Sequence, residues 1–163
     1  RKRGTIEWED ESSWRPAGFL DAMTIYDLLC CAKDGAALSG RYAQAEHLPG
    51  TMHGANPAKG AFDDFAARCD EDPEKLKKAC LALGGVELPM GELSFQVPLF
   101  DFLTVMVQFW SSDDEFPAVF KLMWDENVLQ FLRFETVCYA ARFLVNRLQA
   151  LMGLTVEEAE GHM

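Results

Sequence analysis

Apolar positions follow three successive rhythms along this chain. They recur at helical spacing through most of the first half, run almost continuously through a middle stretch, and return to helical spacing near the end. Residues 5–9 read as a short strand, followed by an acidic turn over 9–13 and then Pro16. From 21 to 34, Ala22, Ile25, Leu28, Leu29 and Ala32 keep a helical period, and Gly35 is a natural stop. Residues 40–48 alternate weakly around Tyr42, as an extended edge does, and the Pro- and Gly-rich stretch 49–60 reads as a loop. Two short helices follow. Residues 61–69 set Phe62, Phe65, Ala66 and Cys69 on one side. Asp72-Pro73 then supplies an acid at the N-cap and a proline at the first helical position, Leu76, Ala79, Cys80 and Leu83 form a core face, and Gly84-Gly85 closes the helix.

The period then changes. Residues 92–97 and 102–110 predict strands separated by Pro98 and a turn near Phe100-Asp101. In the second strand Leu103, Val105, Val107 and Phe109 lie on one face and Phe102, Met106 and Trp110 on the other. Both faces are apolar, which predicts a central strand buried on two sides. Residues 119–124 predict a third strand with a turn at 125–127. A closing helix over 135–152 carries Val137, Ala140, Ala141, Leu144, Val145, Leu148 and Leu151 at helical spacing and ends at Gly153. Helices come first, then strands, then a helix, and this segregated order predicts α+β rather than alternating βαβ. The expectation is one domain over 1–163: a small, mainly antiparallel sheet packed by N-terminal and C-terminal helices. Residues 1–18 form an irregular lead-in and 154–163 a loose acidic tail.

Composition bounds the function classes. With 163 residues, 49% of them hydrophobic, the chain is long enough for one hydrophobic core. Its 26 acidic against 15 basic residues give a net charge of −11, which repels a phosphate backbone, and no basic patch offsets it, so nucleic acid is not an expected partner. The apolar run 97–110 is broken by Pro98, Asp101 and Gln108 and is too short to span a bilayer as a helix; no membrane partner and no signal peptide are expected. The five cysteines, Cys30, Cys31, Cys69, Cys80 and Cys138, are odd in number and include an adjacent pair, and all fall in predicted helices. Reduced thiols in a cytoplasmic protein are the expectation, with no Cys-x-x-Cys to build a zinc or cluster site and no cofactor evident. Residue 1 is Arg rather than Met, which suggests a fragment of a longer chain.

A series of short pieces in order resembles a known family. They are Ile25-Tyr26-Asp27-Leu28-Leu29, Leu38-Ser39-Gly40-Arg41 leading to His47-Leu48-Pro49-Gly50, Ala82-Leu83-Gly84-Gly85, the strand pair, Trp110-x-x-Asp113-x-Glu115-Phe116-Pro117, Leu122-Met123-Trp124-Asp125 and the closing helix. Together they resemble an uncharacterised domain-of-unknown-function family of anaerobic bacteria and methanogenic archaea. The resemblance implies a setting near corrinoid and one-carbon chemistry, often with a preceding [4Fe–4S] cluster domain. This chain lacks that cysteine-rich module, so an iron–sulfur or corrinoid protein enters as a partner rather than as part of the chain.

The candidate chemistry is sparse. Asp113, Asp114 and Glu115, with Asp125 one strand later, are carboxylates that would bind a hard cation or a basic partner if they converged. The alternative is a turn in which an acid caps backbone N–H groups and Phe116-Pro117 re-enters the core. Arg41 and His47 would suit an anion, the one through a bidentate fork and the other through a switchable charge. His53 and His162 complete the histidines and show no metalloprotease spacing. Cys69 and Cys80 fit core faces, whereas one of Cys30-Cys31 must point away from the core. The leading reading is a non-enzymatic binding or accessory domain. Its rivals are a metal-assisted or acid–base enzyme built on Asp113, Glu115 and Asp125 with Arg41 or His47 orienting substrate, and a structural subunit of a complex that exposes an apolar patch on its last helix.

Overall fold

The computed structural model describes residues 7–10, 13–51 and 62–154. The loop histidine His53, the tail histidine His162 and the acidic tail from residue 155 lie outside them. The chain begins with a two-stranded antiparallel ribbon, β1 (Glu7–Asp10) and β2 (Ser13–Pro16), paired with Trp8 opposite Arg15. The segment was expected to be one strand and a turn in an irregular lead-in. The second strand escaped notice because Ser13-Trp14-Arg15-Pro16 has no apolar alternation to announce it. Helix α1 (Phe19–Cys31) follows, starting two residues earlier and ending three residues earlier than the periodicity suggested, with the Asp21 carboxylate accepting the Gly18 N–H at 3.0 Å.

The main sheet has five antiparallel strands in the order β3-β7-β6-β5-β4: β3 (Tyr42–Gln44), β4 (Val86–Glu87), β5 (Leu93–Pro98), β6 (Thr104–Trp110) and β7 (Val119–Asp125). β6 is the central strand, as expected. Both edges are very short, which limits the unpaired backbone they present. Helices α2 (Asp63–Glu71) and α3 (Pro73–Ala82) pack toward β7 and β5, and α4 (Phe134–Leu151) packs on α3 and α1. The fold is α+β, with helices on a small antiparallel sheet.

The core lies between that helical layer and one face of the sheet. Phe95, Val97, Val105, Val107, Phe109, Leu122 and Trp124 from the strands meet Phe65, Leu76, Val137, Leu144 and Leu148 from the helices, all buried. Phe120 packs edge-on against Phe62 and Phe65, holding α2 to β7. Burial of β6 on both faces is not observed. Met106 and Trp110 are only half-buried and Phe102 is exposed, because the helical layer covers the face of Val105, Val107 and Phe109. The other face carries a polar network, with Gln96 Nε2 donating to Tyr42 and Thr104, and Lys121 lying 5.3 Å over the Trp110 ring.

After α3 the chain turns at Gly84, whose φ of +79° is the left-handed conformation that a helix C-terminus requires and that glycine adopts without strain. Gly85 is needed for a different reason. Its N–H bonds the Cys80 carbonyl at 2.9 Å, so closely that a Cβ there would sit 2.6 Å from that oxygen. Asp72 does stand at the N-cap of α3, but its side chain pairs with Lys75 at 3.8 Å instead of capping the helix.

Candidate functional site

The acids singled out in sequence are spread along the sheet. Asp113, Asp114 and Glu115 occupy the loop between β6 and β7, at the end where Trp110 faces Val119. Asp125 closes the far end of β7, a seven-residue strand that separates the two groups by roughly 20 Å at about 3.4 Å per residue. They share no centre. Asp113 Oδ1 accepts the backbone N–H groups of Glu115 and Phe116, each at 2.8 Å, which makes the loop a capped turn. Asp114 and Glu115 are exposed. Phe116 is 65% exposed and does not re-enter the core. Its N–H donates to Asp113 Oδ1 and its carbonyl accepts the Asp113 N–H at 3.0 Å, and the chain is buried again at Phe120. Two further acids lace the same loop: Glu92 takes the N–H and hydroxyl of Ser111, and Asp70 those of Ser112. The Ser112 bonds hold the Asp70 carboxyl below its ordinary range.

Asp125 is buried and fully engaged. Oδ1 accepts from Ser39 N–H, the Ser39 hydroxyl and Asn127 N–H, and Oδ2 from Gly40 N–H at 2.7 Å. Burial opposes its charge, but these donors outweigh burial and lower its pKa. The carboxylate thereby ties the segment before β3 to the turn after β7. Beside it Arg41 forms a two-point pair with Glu126, Nε and Nη2 both 2.7 Å from Oε2. With that guanidinium engaged and His47 exposed beyond β3, at the end of a single 3₁₀ turn, Arg41 and His47 are not assembled as an anion fork.

The most tightly organised polar cluster lies elsewhere, where α1 meets the start of α4. Asp27 is fully buried. Its Oδ2 accepts the Thr136 hydroxyl and, at 3.2 Å, the backbone N–H of Arg133, the N-cap residue of α4, which has no side-chain cap of its own. Oδ1 lies 3.6 Å from Cys31 Sγ, which donates to it, and 3.8 Å from Arg133 Nε; Arg133 Nη2 in turn donates to Cys31 Sγ at 3.1 Å. Burial pushes the Asp27 pKa up, yet the Thr136, Arg133 and Cys31 contacts together hold it below the ordinary aspartate value. A carboxylate so saturated is a clamp and a poor base. The sequence did contain the signal: Asp27 is a lone acid inside an apolar helical stretch, where an ion is tolerated only if paired.

That clamp faces inward from a helix whose opposite side is bare. Phe19, Tyr26 and Leu29 are 65%, 53% and 78% exposed, and Ala22 lies between them at the intervening helical position. Asp21 and Asp27 are the only charged residues of α1; the first bonds the Gly18 N–H and the second is buried. The outer side is therefore apolar throughout, with Phe19 resting edge-on against Tyr139 of α4 at 5.4 Å. The helical period over 21–34 ran through Ala22, Ile25, Leu28, Leu29 and Ala32 without marking an inward side; the residues buried are Thr24 and Asp27, with Leu28 partly buried against the core. The exposed apolar patch expected on the last helix is found on the first.

Among the described residues no three His, Cys, Asp or Glu side chains are grouped to hold a metal, and no helix is long and apolar enough to cross a membrane. All five cysteines are unbridged. Burial pushes the Cys69 and Cys80 thiols up to about 12, which leaves them as inert core residues. Compared with known proteins, residues 2–147 match the model of a family described as a domain of unknown function, DUF3786. No curated protein and no solved structure matches the chain.

Proposed function

The chain belongs to the domain-of-unknown-function family DUF3786, and from that premise we propose that it is a non-catalytic binding domain that docks a partner protein through the outer side of α1. The observation that carries this reading is the charge-free apolar side formed by Phe19, Ala22, Tyr26 and Leu29. An apolar, uncharged helix side belongs in an interior, and here that interior has to come from another molecule. The occupant is a different protein, not a second copy. Each copy carries a net charge of −11, which opposes self-association and favours a basic rim on the partner. Phe19, Tyr26 and Leu29 present on the order of 350 Å² of apolar side-chain surface, less than half of the roughly 800 Å² that each side of a standard interface contributes. A partner with a groove wraps the helix and supplies the remainder.

The setting is cytoplasmic, and the partner is an iron–sulfur or corrinoid protein of anaerobic redox or one-carbon metabolism, as the family resemblance implies. The enzyme alternative has less support, since Asp113 and Asp125 lie at opposite ends of a strand and both carboxylates are committed to backbone N–H groups. The test is recovery of a stoichiometric complex from anaerobic extract of the source cells by wild type and by Leu29→Asp. Loss of the complex by more than tenfold in the variant supports docking through α1, and equal recovery contradicts it. Light scattering over a dilution series separates the occupants: the purified domain is expected to stay monomeric, and a dimer that dissolves on Leu29→Asp would replace the partner with a second copy.

A further inference from the structure

Hydrophobicity alone does not decide which side of α1 turns inward. One side presents Leu20, Thr24, Asp27, Leu28 and Cys31. The opposite side presents Phe19, Ala22, Tyr26 and Leu29, a larger apolar area with no charge. The structure turns the first side inward, burying Thr24 and Asp27, and leaves Phe19, Tyr26 and Leu29 of the second exposed, against the preference that burial of apolar area alone would impose. Thr24 cannot account for the choice, because its hydroxyl is satisfied within the helix by the Leu20 carbonyl at 2.8 Å and would be so in any rotation. Asp27 can. Its partners on α4 are the Thr136 hydroxyl, the N–H of Arg133 and the Arg133 guanidinium, and they exist only on the α4 side.

We propose that Asp27 is the positioning residue of the docking helix: it fixes the rotation of α1 so that Phe19, Tyr26 and Leu29 face outward. This rests on the reading of α1 as the docking element and adds the device that presents it. Half a turn of rotation would bury the aromatic side but carry Asp27 into solvent, leaving the part-buried N–H of Arg133 at the α4 N-cap and the buried Thr136 hydroxyl without this acceptor. Buried polar groups serve elsewhere to select one register among several that an apolar pattern allows, and Asp27 does so for a rotation. The apolar docking side is thus maintained by a polar clamp on the reverse side of the same helix.

The test reads rotation directly and needs no partner. In a Cys30→Ser background, Leu29→Cys places a thiol at the centre of the outer side while Cys31 remains on the inner one. Native-state alkylation with iodoacetamide, localised by fragment mass spectrometry, is compared with and without Asp27→Leu, with helix content followed by circular dichroism. With Asp27 present, the thiol at position 29 should react at least tenfold faster than Cys31, and Asp27→Leu should reverse that order in a chain that keeps its helix content. Unchanged relative rates in folded Asp27→Leu overturn the proposal. If Asp27→Leu does not fold, the milder pair Asp27→Asn with Thr136→Val decides. It weakens the same clamp, so the ratio of the two rates must fall by at least threefold, and an unaltered ratio overturns the proposal equally. Failure here leaves docking through α1 standing, whereas equal partner recovery by wild type and Leu29→Asp removes docking without altering the alkylation order.

Discussion

Replacing Asp27 with Asn keeps the shape of the side chain and removes its charge. Asp27 is wholly buried and accepts charge-assisted bonds from the Thr136 hydroxyl and the Arg133 N–H, with a weaker contact from the Cys31 thiol. Hydrogen bonds to a buried ion contribute about 1.5–3 kcal/mol each; both fall on Oδ2, so Asn can keep its one oxygen there, but each bond then drops to the roughly 0.5–1.5 kcal/mol of a neutral one. The Arg133 ion pair adds little, because at 3.8 Å its guanidinium side chain is 61% exposed and screened by solvent. The expected loss is about 2–4 kcal/mol at pH 7, or roughly 4–16 °C in Tm for a chain of this size. Urea unfolding followed by circular dichroism measures it, with an unchanged m value as the check that the denatured state is the same. The pH dependence carries the sign. Because the folded pKa of Asp27 is depressed, its contribution is complete above the unfolded value of about 3.9 and disappears as the pH falls through the lower folded value. Wild type and Asp27→Asn should therefore differ most near neutrality and converge in strong acid. A loss below 1 kcal/mol at pH 7, or a difference that does not shrink in acid, refutes the clamp.

Asp125→Ala removes the buried acceptor of four part-buried donors that join the segment before β3 to the turn after β7, and should cost about 2–4 kcal/mol, measured by the same urea titration. The thiols of Cys69 and Cys80, pushed up to about 12 by burial, should resist a chromogenic disulfide reagent at pH 8 in the native state and react fully once the chain is unfolded, while exposed Cys30 reacts at once. Gly85→Ala should destabilise the chain by about 1–3 kcal/mol, since a Cβ 2.6 Å from the Cys80 carbonyl forces the β4 turn away from α3, and thermal unfolding would report it.

The three long strands β5, β6 and β7 and the last three helices were legible because their periods are strong and their punctuation local, whereas the short β2 and β4 were not. Leu103 through Trp110 marks the central strand, Asp72-Pro73 opens α3, and Gly84-Gly85 closes it. What remained hidden depended on tertiary choice. The pattern of β6 is apolar on both faces, yet only one receives the helical layer. α1 carries apolar residues on both sides, so its period identifies a helix but not its inward side, and a clamp formed with Arg133 and Thr136 more than a hundred residues later makes that choice. The acidic turn 113–115 was visible as a cluster, but whether neighbouring acids converge or cap depends on the register of β6 against β7 and on where backbone N–H groups point.

Whether the outer side of α1 is a binding surface rather than a fold surface is tested by the Leu29→Asp variant in one paired measurement of unfolding free energy and complex recovery. Leu29 is 78% exposed, so a charge there should change stability by no more than about 0.5 kcal/mol while reducing recovery of the partner more than tenfold. A loss of stability above about 2 kcal/mol would show that the domain buries this side itself, and undiminished recovery would show that the partner binds elsewhere; either result contradicts docking through α1.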